Sequence, residues 1–433
     1  MLRHQLHFFR PRLCRHSSAI YPFHNLRAFP FRLSPEDAVV QMAPYASILL
    51  VFKQVIGSFG ARLLPGFGFE PIRPTRIVPV YFPAWVIDGE LQASVTYNNT
   101  QRTILSQFLN TYLPGNDFKI LSLLSFWYKE LQQYQLVPFT PELERQHDVD
   151  VQCLPYTVSP FSVLDIAKDW PHGDVEITDN FRFSPTSLKL NMAAAYPILI
   201  PLYLVQYHAR IRGLDTELSM TMFMEGFSKK GRIFVEKYSE PVNQRLRELM
   251  PNAPASFIRF THALDDFTVQ PLRGDFEHFT RFEKLGVPQA PIMSDSLRRW
   301  LDDKLYASDY LAPLLANVSQ GSPTLRGEDE RIRDFMDTAS RSDIHTWLSI
   351  GTAVASTEML IETIKSTTLL HASAGGGDAM GGTVQSLEKN VKDLLQKRQE
   401  LTPTWWKEWE RRDSTDEISE QASGTVSQAQ DKP

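Results

Sequence analysis

Cysteine is nearly absent from this 433-residue chain, which holds only Cys14 and Cys153. A disulfide framework and a cysteine-built zinc site are therefore excluded, and the usage suits a reducing compartment. Long apolar runs are missing as well. The best are Ala46–Phe52, stopped by Lys53; Ala193–Val205, interrupted by Pro197 and Pro201; and Trp347–Ile361, which contains Glu358. None reaches the roughly 20 apolar residues that span a bilayer, so no transmembrane helix is expected. The chain also lacks a phosphate-binding Gly-x-x-x-x-Gly-Lys-Ser/Thr loop, a Gly-x-Gly-x-x-Gly after a strand, a Gly-x-Ser-x-Gly elbow and a His-Glu-x-x-His helix. These absences lower the expectation of an enzyme, and no cofactor or metal site is expected.

One local absence carries more information. No acidic residue precedes Glu36, while Arg3, Arg10, Arg12, Arg15, Arg27 and Arg32 supply six positive charges. Coiled as a helix, the start of the chain would gather Leu2, Leu6, Phe9 and Leu13 on one side, away from Arg3, Arg10 and Arg12. Arg-rich, acid-free, amphipathic segments of this kind direct import into mitochondria, so residues 1–33 are expected to be a presequence. Arg32-Leu33-Ser34 offers one processing point and the neighbourhood of Arg15 a second. A basic arm for nucleic acid is the competing explanation, but it would not need Leu and Phe at helical spacing. The whole chain carries −5, and without those six charges it carries −11. An acidic body argues against DNA and RNA as partners, because phosphate neutralisation is the main sequence-independent source of such affinity.

The rest of the chain divides by pattern. Residues 34–290 are expected to form an α+β domain, 291–370 a helical region, 371–383 a glycine-rich linker, 384–412 amphipathic helices with a tryptophan cluster, and 413–433 a disordered tail. Ser34-Pro35-Glu36-Asp37 has the cap, the proline and the two carboxylates of a helix start, and a helix over 35–58 should follow. Asp88-Gly89, set between β-favouring residues and the alternating Leu91, Ala93, Val95 and Tyr97, predicts a hairpin turn. Pro79 and Pro83 place the arm before it at a sheet edge. Strands are also expected over 118–128, 150–154, 197–212, 217–224 and 232–238, the last three as an antiparallel set. The fold class is thus α+β, an antiparallel sheet with packed helices followed by a helical C-terminal region.

Two groups of residues stand out as candidate sites. His262, Asp265, Asp266, Asp275, Glu277, His278 and Glu283 crowd 22 positions, with His262 and Asp266 one helical turn apart, as an acid–base site would require. The same alternation with phenylalanines is equally the pattern of amphipathic packing. Trp405, Trp406 and Trp409 lie beside Lys407, Arg411 and Arg412 on a short helix. Exposed there, they would meet a partner or the lipid interface; folded back, they would be core. The expectation is a non-catalytic mitochondrial assembly or scaffold factor, on the matrix side and with peripheral inner-membrane contact open to it, whose partner is a mitochondrial protein complex. The alternative is a matrix enzyme using the 262–283 region.

Overall fold

A computed structural model of the chain describes residues 21–50, 73–116, 118–122, 124–127, 131, 134–161, 175–178, 180–210, 217–236, 269–273, 329–371 and 377–412. In chain order its strands are β1 (Arg27–Ala28), β2 (Arg76–Tyr97), β3 (Thr100–Pro114), β4 (Val137–Pro138), β5 (Arg145–Gln146), β6 (Val149–Asp150), β7 (Gln152–Cys153), β8 (Val175–Thr178), β9 (Phe181–Phe183), β10 (Lys189–Arg210), β11 (Glu217–Glu225), β12 (Ile233–Glu236) and β13 (Val269–Arg273). The helices are α1 (Pro35–Leu50), α2 (Lys119–Ser122), α3 (Thr338–His371), α4 (Gly377–Glu400) and α5 (404–412). The architecture is α+β, and no described helix is long and apolar enough to cross a membrane. Two compact units divide the chain: Met1–Trp85, Leu113–Val158 and Ile198–Arg281 form one, and Val86–Tyr112, Ser159–Pro197 and Phe282–Pro433 form the other.

The first unit is built on the antiparallel ladder β10–β11–β12–β13, with Leu202 opposite Glu225 and Arg210 opposite Glu217 at the two ends of the β10–β11 pairing. The first three are the antiparallel strands that the 197–238 periodicity predicts, and β13 joins them without having been expected. On β10's other side β1 runs parallel, Arg27 against Ile198, and is itself flanked by β4. Aromatic rings fill the core, among them Phe29, Tyr81, Phe82, Trp85, Phe126 and Tyr203. Polar ends of these rings find carbonyls: Trp85 Nε1 donates to Val158 at 2.8 Å, and Tyr156 Oη lies 2.9 Å from the Ile198 oxygen. The β11–β12 turn hides an ion pair, with Arg232 Nη2 2.7 Å from Glu225 Oε1 and also donating to the Ser125 carbonyl. Helix α1 starts as expected, Ser34 Oγ accepting the Asp37 amide at 3.1 Å, and buries Ala38, Met42, Ala43 and Ala46. Residues 51–58 of the expected helix lie outside the described residues. The described residues of 118–128 do not form a strand. Asn116 Oδ1 accepts the Phe118 amide at 2.9 Å, and this side-chain turn starts the short helix α2 instead.

The second unit begins inside β2 and contains the turn between β2 and β3. That turn is at Asn98-Asn99, both in the left-handed region at φ 49° and 59°, and not at Asp88-Gly89. Two asparagines at positive φ meet the same backbone demand that Asp-Gly advertises. Gly89 instead sits mid-strand, where a Cβ would lie 2.7 Å from the Met192 carbonyl oxygen; close backbone approach, not a turn, requires the glycine. Nor does that arm lie at a sheet edge: besides β10, β2 pairs with β3 and with β7, the last through Val80 and Tyr81. Proline removes a donor but leaves an acceptor, and in the first unit Pro83 uses it to receive the Gly115 amide at 2.9 Å.

Helices α3 and α4 form an antiparallel hairpin. At 1.5 Å per residue they extend about 50 and 36 Å. Their covered positions follow heptad spacing: Trp347, Ile350, Val354, Thr357, Ile361 and Ile364 on α3, with Val384, Leu387, Val391, Leu394 and Arg398 on α4. Lys365 Nζ to Glu388 Oε1 at 2.8 Å, and Trp347 Nε1 to Thr402 Oγ1 at 3.1 Å, fix the antiparallel register. Helix α4 already runs from Gly377, so much of the glycine-rich stretch expected to be linker is helical.

Candidate functional site

Asp88 and Glu90 are the chemical centre of the second unit. Both carboxylates are fully buried on β2, one residue either side of Gly89. Same-face placement follows from the two-residue period of a strand. A buried carboxylate without partners is untenable, and each of these has three. The Asp88 Oδ1 atom accepts the Asn110 amide at 2.6 Å, made available by the left-handed backbone of Asn110 (φ 52°). Its Oδ2 lies 3.0 Å from His345 Nε2 and 3.7 Å from Arg341 Nε. Glu90 receives Asn191 Nδ2 at 2.8 Å and Gln107 Nε2 at 3.0 Å, and faces Arg398 Nη2 at 2.7 Å. The Arg398 contact is an ion pair without a well-aligned hydrogen bond, since Nε and Nη2 of that side chain find no aligned acceptor.

The cations come from the helical hairpin, Arg341 and His345 from the first turns of α3 and Arg398 from the last turn of α4. Each guanidinium also lies over an aromatic face, Arg341 3.9 Å from the Phe335 ring centre and Arg398 3.6 Å from that of Trp347. Gly351 leaves room for the second pair, for a Cβ there would stand 2.6 Å from Glu90 Oε2 and 2.7 Å from Arg398 Nη2. Gln107 completes the seam by donating to the Leu348 carbonyl at 2.6 Å while accepting the Thr352 hydroxyl at 2.8 Å. Burial, and next the charge of Asp88, push the Tyr196 phenol far above its usual range. An open depression of about 600 Å³ borders this network, lined by Arg341, His345, Lys397 and the hydroxyls of Ser342, Thr346 and Ser349. The carboxylate orients the half-exposed imidazole as it would a general base. No described hydroxyl hydrogen-bonds to His345, however, and Arg341 is already committed to Asp88, to Asn110 Oδ1 at 2.6 Å and to the Phe335 carbonyl. The arrangement is a latch between sheet and hairpin.

The tryptophan cluster is a second fastening of the same hairpin. Trp406 is 1% exposed, Trp405 and Trp409 are half-buried, and the Trp406 and Trp409 ring centres are 4.5 Å apart. The segment 329–337 receives them. It is bound to β10 through Ala195, whose amide and carbonyl pair with the Arg331 carbonyl and the Arg333 amide, each at 2.9 Å. Arg331 then lies between the rings of Phe161, at 3.8 Å, and Trp409, at 4.2 Å, with Asp329 holding its outer nitrogens. Arg412 and Glu330 add an ion pair at 2.5 Å. The tryptophans thus fold back onto their own unit.

His262, Asp265, Asp266, Asp275, Glu277, His278 and Glu283 all lie outside the described residues. Among the described residues no group of three or more His, Cys, Asp or Glu is placed to hold a metal ion. None of the latch residues Asp88, Glu90, Arg341, His345 and Arg398 stood among the candidate site residues of the sequence, and Asp88 entered only as half of an expected turn. A signal existed: two acids standing in the apolar, β-favouring run 80–95 have no other reason to be there.

No protein-family model matches this chain, and neither a curated protein nor a solved structure is similar to it.

Proposed function

We propose that the protein is a non-catalytic mitochondrial assembly or scaffold factor, acting on the matrix side, whose helical hairpin contacts a subunit of a larger protein complex. The observation that carries this reading is how the hairpin is mounted. Its base is anchored by two buried carboxylates and by the Trp406 helix, whereas beyond Ala355 cover is confined to the seam between α3 and α4. Ser356, Glu358, Glu362, Thr363 and Ser366 of α3 are exposed there. Among them Met359 is 37% exposed and Leu360 48%, and Leu395 of α4 is 45% exposed. A rigidly held two-helix arm offering isolated apolar side chains among charges suits a protein partner with a complementary groove. The mitochondrial element rests on the acid-free, arginine-rich start of the chain.

Two experiments test the two parts. A reporter carrying residues 1–20 should enter mitochondria, and with Arg3, Arg10, Arg12 and Arg15 all changed to Gln it should stay in the cytosol; undiminished delivery would reject the import reading. Affinity purification of the tagged full chain from mitochondria should return a defined set of stoichiometric partners, and recovery as a lone monomer would count against the scaffold reading.

A further inference from the structure

Residues Tyr21–Leu33 are folded into the first unit. Tyr21, Phe23, Leu26, Ala28, Phe29, Phe31 and Leu33 are all buried, and Phe29, Phe31 and Leu33 follow the period of a strand. Strand β1 is inserted between β10 and β4, so its removal would leave backbone groups on both neighbours without partners. The flanking residues are tied as closely. The Phe29 amide donates to the Leu199 carbonyl at 3.1 Å, the Phe29 carbonyl accepts the Tyr81 hydroxyl, Gln146 Oε1 accepts the Phe31 amide at 2.9 Å, and the Tyr203 hydroxyl donates to the Leu33 carbonyl at 2.5 Å. Gly226 is shaped for this segment too: a Cβ there would stand 2.5 Å from the Phe31 ring, and its carbonyl accepts the Arg32 amide at 3.0 Å. The arginine at 32 is itself used, its guanidinium 5.5 Å from the centre of the Tyr134 ring.

A processing cut at Arg32-Leu33-Ser34 would discard all of this. We infer that the targeting segment ends before Tyr21, and that a matrix processing peptidase cuts after the arginine cluster Arg10–Arg15 and upstream of Tyr21, leaving Tyr21–Leu33 as the first structural strap of the mature protein. Water adds across one peptide bond, giving a new carboxylate on the leader and a new α-amino group on the mature chain. The inference rests on the mitochondrial reading above, and it divides the basic region by role. Arg3, Arg10, Arg12 and Arg15 direct import, and Arg27 and Arg32 belong to the fold.

The test is the N-terminal residue of the protein purified from mitochondria, read by mass spectrometry. An N-terminus between His16 and Tyr21 is expected; one beyond Tyr21, Leu33 or Ser34 included, or one before His16 overturns the inference while leaving import intact. A cytosolic chain still beginning at Met1 would overturn the mitochondrial reading and the processing step with it. The full-length variant Phe29→Ser supplies a second readout on the imported protein. If the strap is retained, the variant melts at a lower temperature than the wild type; if residues 1–33 are discarded, both mature proteins are identical and melt together, which would contradict the inference.

Discussion

Asp88 and Glu90 are fully buried charges at the level of single residues, and their value to the fold depends on keeping their partners. Removing one member of such a pair strands the other, so Glu90→Ala, which takes the buried counter-charge from Arg398, should cost about 3–5 kcal/mol in chemical denaturation. Gly351→Ala probes the same pair from the helix side. The added methyl would press on Glu90 Oε2 and Arg398 Nη2 and should destabilise by about 1–3 kcal/mol, and a denaturation midpoint equal to wild type would show that the pair can shift aside. The sequence pointed to Asp88-Gly89 for the wrong reason. Asp-Gly in an alternating context is a turn signal, yet the aspartate is there to meet His345, 257 positions away. No local pattern carries a partner at that distance. The true turn, Asn98-Asn99, was legible by the same rule and was outcompeted by the stronger dipeptide.

Among elements, the helical hairpin and the tryptophan helix act as one body. The heptad spacing of Val384, Leu387, Val391 and Leu394 is plain in the sequence, and α4 forms where that spacing predicts it. Glycine composition misled at 377–382, because helix propensity is a small term that the seam with α3 outweighs. Tryptophan placement could not be decided from the chain alone: the cations that cover the rings, Arg331 and Arg333, precede them by more than 70 residues. With Trp406 nearly inaccessible, Trp406→Ala should cost about 3–5 kcal/mol, within the range for burying and then deleting a large aromatic side chain. Truncation after Leu370 removes Arg398 and the tryptophans together. It should lower the melting temperature and raise binding of a hydrophobic dye, whereas an unchanged melt would mean the tail is dispensable to the fold.

At the scale of the molecule, burial governs the titration of five of its 14 tyrosines. It holds Tyr21, Tyr81, Tyr196, Tyr203 and Tyr207 above the ordinary phenol range. An unfolded tyrosine ionises near about pH 10, so the unfolded chain releases these protons before the folded one can. Their contribution is therefore fully present below about pH 10 and is lost as pH rises further. In an alkaline titration the phenolate absorbance of these five rings should appear only together with loss of circular dichroism. Ionisation of all 14 tyrosines with circular dichroism intact would contradict the burial of these rings.

The antiparallel ladder and the α+β class were readable from periodicity, because one face of each strand is apolar. The latch was not, because it joins residues of β2, β3 and β10 to residues of α3 and α4. On the function proposed above, the latch fixes the base of an arm that would meet a partner. The most direct measurement compares the native complex size of tagged full-length protein in mitochondrial extracts with that of the double variant Leu360→Ser, Leu395→Ser. The account predicts that the wild type migrates in a defined complex and that the variant, with an unchanged melting temperature, migrates as a free chain. A variant that keeps the full complex, or a wild type that is free to begin with, would contradict it.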